Sequence, residues 1–237
     1  MKNSVYTPNQ AENIDTSHNI SPHMAAARDG GERLIRVAQF LNRSDIYGPG
    51  MRSVIWVQGC TLACKGCWNT EFWAHAGGEM KTVSELHNQL MAIEGVEGVT
   101  ILGGEPLQQA PALLDLLRRQ DAENRSIMLY SGYDTSELNE VQQACVDLSD
   151  IVILGRYIES LRNVNLRWRG STNQVLYSPT GRVDVDKIED GEREVEFHIQ
   201  SDGRFIMVGY PNPSLVEDLL ENVIEELEGT NQSNQNL

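Results

Sequence analysis

At 237 residues the chain suits one domain with tails, and an apolar share of 40% is ordinary for a protein with a real core. Aspartate and glutamate number 34 against 19 lysines and arginines, a net charge of −15, which disfavours a nucleic-acid partner held through a basic surface and leaves only a local patch around Arg156, Arg162, Arg167 and Arg169. No apolar run is long enough for a membrane, no signal peptide opens the chain, and the four cysteines fit a reducing cytosol, so a cytoplasmic protein with no membrane contact is expected.

Residues 1–31 are polar and aperiodic and predict a disordered tail; His18 and His23 within it read as solvated side chains. Residues 34–41 predict a first strand. Residues 42–50 form a turn-rich loop ending in Gly48-Pro49-Gly50, either a plain turn or a place where backbone comes close to a ligand. Residues 53–57 have the composition and length of a buried strand.

That strand leads into the stretch that organises the rest, VQGCTLACKGCWNTEFW at 57–73. Cys60, Cys64 and Cys67 follow the pattern C-x3-C-x2-C on a loop at the carboxyl end of the strand, where α/β proteins place their chemistry. Three thiolates on one short loop can wrap one face of a compact metal centre, with Gly59 and Gly66 letting the backbone fold tightly. Iron–sulfur clusters are held by cysteine thiolates, and a four-iron cluster with three cysteines keeps one iron open to a small molecule. The alternative is zinc with His75 as fourth ligand, although zinc sites favour paired C-x2-C units and no second pair exists here.

Beyond the cysteines, Thr82 and Glu85 fit a capping box, and Val83, Leu86, Leu90 and Ile93 share one helical face that ends at Gly95 and Gly98. Residues 99–102 predict a strand running into Gly103-Gly104-Glu105-Pro106. Pro111 opens a helix with Leu113, Leu114 and Leu117 inward, and residues 127–130 predict another strand. Asp134 and Glu137 read as the cap of a helix carrying Leu138, Val141, Cys145 and Leu148 on one stripe, which makes Cys145 a buried core thiol. Residues 151–154 give a further strand.

Such alternation predicts parallel βαβ units, too few for eight, and hence an α/β fold built as a partial, open (β/α) barrel. After a weakly patterned segment containing WRGSTNQ (168–174), residues 194–199 and 204–208 alternate around Ser201-Asp202-Gly203 as a hairpin. Ser214 and Glu217 then cap a helix with Val216, Leu219, Leu220, Val223 and Leu227 on one face. The expected organisation is a tail at 1–31, a core at 32–180, a hairpin–helix extension at 181–228 and a tail at 229–237. The extension is expected to cover the open edge of the barrel or to shape the surface that receives a target.

The cysteine pattern followed by GGEP resembles the radical S-adenosylmethionine superfamily. GPGMR (48–52), the Trp68 after Gly66-Cys67, YSGY (130–133) and WRGSTNQ narrow this to a resemblance to the anaerobic ribonucleotide reductase activating proteins, over about residues 36–174. The resemblance implies a [4Fe–4S] cluster on Cys60, Cys64 and Cys67, and reductive cleavage of S-adenosylmethionine to a 5′-deoxyadenosyl radical. It further implies a glycyl-radical enzyme or other polypeptide as target and an external low-potential electron donor. It places Gly66 and Trp68 beside the cofactor, Gly103 and Gly104 against its methionine end, and Glu105 where it could accept the ammonium. Tyr130 and Ser131 would face the adenosine, or be a core tyrosine and a turn serine. WRGSTNQ would contact cofactor or partner, or be a surface loop.

Two positions depart from the pattern. Gly66 stands where the wider superfamily often has an aromatic residue, although the reductase activators resemble this sequence in having Gly there followed by an aromatic such as Trp68, and Leu154-Gly155-Arg156 stands where activators tend to have an aspartate before the glycine. The other readings are a radical enzyme acting on a peptide or small molecule in a biosynthetic pathway, and a non-catalytic metal-binding module.

Overall fold

The computed structural model describes residues 28–188, 194–199 and 205–209. A short strand β1 (Arg28–Asp29) turns through Gly30 and Gly31, both at positive φ, into the long β2 (Glu32–Ser44), so the sheet starts inside the expected tail. β2 runs antiparallel to β3 (Arg52–Val57), whose six residues are all buried. β4 (Glu79–Thr82) was not foreseen: its sequence EMKT lacks an apolar alternation, and it gains strand form by pairing Leu34–Thr82 through Val37–Glu79 with β2. The expected capping box then opens α1 (Val83–Met91): the Glu85 N–H donates to Thr82 Oγ1 at 3.1 Å and the Thr82 N–H to Glu85 Oε2 at 2.7 Å. Val83, Leu86 and Leu90 are its buried face, each stabilising by about 1.5–3 kcal/mol.

β5 (Gly98–Gly103), α2 (Ala110–Ala122) and β6 (Ser126–Ser131) follow as predicted. The next helix does not start where its cap was expected. Asp134 and Glu137 close a capping box around a single 3-10 turn, Thr135–Glu137, and Leu138 is extended. α3 (Glu140–Asp147) has its own box, Asn139 with Gln142. Its buried face is Gln142, Cys145 and Val146, while Val141, expected inward, is exposed. Cys145 is fully buried, as expected. β7 (Ile151–Leu154) and the unforeseen β8 (Val175–Tyr177) complete a sheet of order β1-β2-β3-β5-β6-β7-β8, with β4 on β2.

β3, β5, β6 and β7 are mutually parallel. Each crossover steps one strand further in the same direction, and right-handed crossovers then put α1, α2 and α3 on one face. α2 accordingly touches both α1 and α3. Alternation along the strands separates two cores. Ile55, Val57, Ile101, Leu129 and Val152 pack under the helices. Val54, Trp56 and Leu102, with Met128, Ile151 and Ile153 beside them, face the other way, and none of α1, α2 and α3 covers them. Among the described residues the two ends of the strand path do not pair with each other, so this is an open mixed α/β sheet with a parallel centre.

Among the described residues, that second face is roofed by loops and by the hairpin that follows. β9 (Val195–Ile199) and β10 (Phe205–Gly209) pair antiparallel with one another, Phe205 opposite Ile199 and Gly209 opposite Val195. The hairpin expected from sequence is therefore present, but Val208 and Ile206 pack on a face of the large sheet, not along its edge. The turn at Ser201-Asp202-Gly203, the helix expected at 214–227, and the tails at 1–27 and 229–237 lie outside the described residues.

A buried arginine ties one roof loop down. Arg52 is wholly buried at the start of β3. Its Nε donates to Thr100 Oγ1 at 2.7 Å, Nη1 to Ser126 Oγ at 2.8 Å and Pro49 O at 3.2 Å, and Nη2 to Val99 O at 2.8 Å and Ser126 O at 3.0 Å. Thr100 Oγ1 in turn donates to Tyr47 O at 2.6 Å. A Cβ on Gly48 would come within 2.6 Å of Arg52 Cδ, so GPGMR is a glycine loop closed over an arginine. Burial pushes the guanidinium down to about 10, still protonated at neutral pH.

Candidate active site

The cysteine loop leaves β3 at Val57 and is stapled at its base. The Gln58 N–H donates to Arg36 O at 3.0 Å, the Gly59 N–H to Phe72 O at 2.8 Å and the Cys60 N–H to Trp73 O at 3.0 Å. Gln58 Nε2 donates to Ala74 O at 2.6 Å. Phe72, at the end of a 3-10 turn over Thr70–Phe72, is buried in the roofed core and anchors the returning limb of the loop. Gly59 sits at φ +101, and a Cβ there would meet His75 Nδ1 at 2.5 Å, so the tight turn foreseen at this glycine is real.

The three sulfurs are half-buried and line one wall of a cleft of about 200 Å³. Burial pushes the Cys60 thiol up to about 11 and raises Cys64. Backbone N–H groups offset that cost: Leu62 and Ala63 donate to Cys60, Tyr157 donates to Cys64, and Asn69 donates to Cys67 Sγ at 3.4 Å. Donors aimed at three neighbouring sulfurs fit thiolates bound to iron, where such bonds tune cluster potential. A single zinc would need its donors within about 2.3 Å of one point. Among the described residues no three His, Cys, Asp or Glu side chains meet that way, so zinc with His75 finds no support in the geometry.

Gly103 and Gly104 stand level with the loop. The Gly104 N–H donates to Val57 O at 2.8 Å and the Glu105 N–H to Gly59 O at 2.9 Å. Gly103 has φ +106; Gly104 does not share a positive φ. A Cβ on Gly104 would run into the Gly59 carbonyl, 2.9 Å from its carbon and closer to its oxygen. The space expected to be shared between Gly104 and a bound methionine is thus filled first by the backbone of the cysteine loop.

Glu105 is almost wholly buried yet lines the cleft. Oε1 accepts from the Leu107 N–H at 2.9 Å and from Ser131 Oγ at 2.9 Å, and Oε2 accepts from the Gly132 N–H at 2.8 Å. Desolvation nonetheless pushes the carboxyl up to about 7. A carboxylate offers about four acceptor sites, so Oε2 retains one for a donor arriving from the cleft. Ser131 is buried, and its hydroxyl also accepts from the Tyr133 N–H at 3.1 Å; it braces Glu105 across from β5 to β6.

Trp68 is exposed at the rim, with the Arg162 guanidinium 5.7 Å from its ring centre. Gly66 does not line the cleft; a Cβ there would face Glu159, 3.1 Å from Oε1. WRGSTNQ roofs the cleft and holds its own shape. Gln174 Nε2 donates to Gly155 O at 3.0 Å while its Oε1 accepts from the Gly170 N–H at 2.8 Å. Asn173 Nδ2 donates to Arg156 O at 2.8 Å, and the Ile158 N–H donates to the fully buried Ser171 at 3.2 Å. Trp168 Nε1 donates to Ile46 O at 3.1 Å, which joins this roof to the loop held by Arg52.

Several wall residues were not assigned to the site from sequence: Leu62, Tyr47, Trp73, Tyr157 and Arg162, the last named only as part of a basic patch, all line the cleft. They lie on loops without periodicity, and only the outward parity of Trp56 and Leu102 beneath them hinted that something had to cover that face.

Residues 46–177 match the family described as 4Fe-4S single cluster domain. The anaerobic ribonucleoside-triphosphate reductase-activating protein of Salmonella typhimurium is 33% identical over 152 residues, 60% of this chain and 98% of that protein. Its counterpart in Escherichia coli K12 is 33% identical over 143 residues, 56% of this chain and 91% of that protein. That of Enterobacteria phage T4 is 33% identical over 146 residues, 58% and 90%. The crystal structure of QueE from Escherichia coli, at TM-score 0.37 and 13% identity over 49% of this chain and 69% of that one, is too distant to bear on function. No helix among the described residues is long and apolar enough to cross a membrane. The chain belongs to the 4Fe-4S single cluster domain family, together with the anaerobic ribonucleoside-triphosphate reductase-activating proteins.

Proposed function

We propose that this protein is a radical S-adenosylmethionine enzyme that activates a glycyl-radical enzyme, with anaerobic ribonucleotide reductase as its target. One observation carries the reading: three thiols of one stapled loop and a buried carboxylate with acceptor capacity to spare share a single cleft. Cys60, Cys64 and Cys67 would hold a [4Fe–4S] cluster, and the N–H groups of Leu62, Ala63, Tyr157 and Asn69 would stabilise their negative sulfurs. When bound, the cluster supplies the electron, drawn from an external low-potential donor, that cleaves S-adenosylmethionine. Glu105 would take one ammonium hydrogen on Oε2, a charge-assisted bond that orients the methionine end. The roof of Trp168 and Gln174 and the aromatic side chain of Tyr47 keep bulk water from the reacting atoms.

The relatives' shared name supports this target over a biosynthetic peptide or small molecule, and over a module that binds metal without catalysis. In this reading residues 32–180 are the catalytic core, 181–228 an extension, and the protein works in the cytoplasm. Anaerobic incubation of the cluster-loaded protein with S-adenosylmethionine, dithionite and the reductase should yield a glycyl radical by electron paramagnetic resonance. Cleavage without a radical on the reductase would refute the target; no cleavage at all would refute the chemistry.

A further inference from the structure

The hairpin β9–β10 lies beyond the family match, which ends at residue 177, yet it reaches the cleft. Glu194, just before β9, and Gly209, which ends β10, both line it. Several ties hold the hairpin there. Val208 is buried against Val54, Trp56 and Leu102 of the roofed face. The Gly209 N–H donates to Tyr47 Oη at 3.1 Å, and the Asp45 N–H donates to Glu196 Oε1 at 2.9 Å. Arg167 of the roof pairs with Glu194 at 3.4 Å. Gly209 sits at φ +102, where a Cβ would strike the Glu194 carbonyl and come within 2.9 Å of Ile46 Cδ1. The hairpin is wedged between the loop held by Arg52 and the WRGSTNQ roof.

We propose that this hairpin is the outer wall of the cleft and decides which polypeptide segment of the target can enter. The inference rests on the reading that the cleft acts on a partner protein. The three thiols and Glu105 sit on loops at the carboxyl ends of β3 and β5, and none belongs to the hairpin. Moving the hairpin therefore changes the width of the entrance while leaving the cofactor end built. Val208 and Glu196 are its positioning residues. The hairpin lies outside the family match at residues 46–177, so it can set this chain's choice of target without altering the matched part.

The test uses full-length, cluster-loaded Val208→Asp, which places a carboxylate in the apolar contact, and Glu196→Ala, which cuts the tie to Asp45 without adding charge. Val208→Ile serves as the conservative control. Iron content and cleavage of S-adenosylmethionine without target should stay within about twofold of wild type, while glycyl radical formed per cleavage falls at least about tenfold, as expected when a reacting segment is misplaced. In the cluster-free chain, labelling of the cleft thiols by a bulky maleimide relative to a small one should rise about fivefold or more, since their reactivity follows access. Val208→Ile should change neither. If Val208→Asp fails to fold, Glu196→Ala carries the test. Cleavage and activation falling together, loss of iron in Glu196→Ala, or an unchanged labelling ratio would overturn the proposal. Wild type that cleaves but leaves the reductase without a radical refutes the target, and the labelling ratio then judges the wall by itself.

Discussion

Replacing Arg52 by alanine tests whether the cleft is held from below. The guanidinium makes five hydrogen bonds, three of them to the carbonyls of Pro49, Val99 and Ser126, and no part of it reaches solvent. Breaking a buried, charged network of this kind costs about 3–5 kcal/mol, because the acceptors remain and their partner is gone. The vacated volume adds to this, and the relieved desolvation of the charge subtracts, so about 4 kcal/mol is expected. With a urea m-value of about 3 kcal/mol/M for a chain of this size, the midpoint should fall by about 1.3 M. Arg52→Met keeps most of the stem and removes only the donors; about 2 kcal/mol is expected there. Equilibrium urea unfolding of the cluster-free full chain, followed by circular dichroism, measures both. A shift below about 0.3 M for Arg52→Ala, corresponding to under about 1 kcal/mol, would refute the latch. Equal losses for Met and Ala would assign the effect to packing and not to the hydrogen bonds.

Alanine at Cys60, Cys64 or Cys67 should abolish the reconstituted cluster, read by iron content and the visible absorption band. Cys145→Ala should leave it intact, because that thiol is buried in the helix-side core and donates to Ala110 O at 3.6 Å. Gly104→Val should reduce cluster loading as well as S-adenosylmethionine binding, since the added atoms push on the Gly59 peptide; full iron content with lost binding, seen by calorimetry, would restore the simpler view that this glycine serves the cofactor alone. Arg156 grips Glu137 at 2.6 and 2.8 Å and holds its carboxyl down to about 2. A depressed carboxyl stabilises the fold above its unfolded value of 4.5 and loses that contribution as pH falls towards 2. The stability gap between wild type and Glu137→Gln should therefore be open at pH 7 and closed near pH 2; a gap independent of pH would contradict the assignment.

The strands at 53–57, 99–102, 127–130 and 151–154 were legible because continuous apolar runs bounded by glycines and polar residues have few other uses. β4 and β8 were not, since short half-exposed strands owe their form to the neighbour they pair with. The misplaced start of α3 has a specific cause. Two capping boxes lie five residues apart, Asp134 with Glu137 and Asn139 with Gln142, and sequence does not say which one a helix follows. At the site, cysteine spacing and GGEP pick out residues that share one cleft, because they follow adjacent parallel strands. The roof was illegible for the opposite reason. Tyr47, Trp168 and Glu194 meet there from three distant loops, and no local pattern records such a meeting. Gly104 was read as a cofactor position when its first constraint is the peptide of Gly59.

The one-directional winding of β3, β5, β6 and β7 divides the molecule's evolutionary freedom unevenly. α1, α2 and α3 lie behind the sheet, where Ile55, Ile101, Leu129 and their neighbours interlock with them, and a change in any of them is felt by several others. In front, the described residues are connecting segments and the β9–β10 hairpin, each fastened by a handful of bonds. Lineages can lengthen, exchange or discard those front pieces without renegotiating the back. A scaffold of this build can keep one radical chemistry for as long as its rear layer is conserved while its clientele drifts, and the β9–β10 hairpin, outside the family match at residues 46–177, is a front piece of that kind.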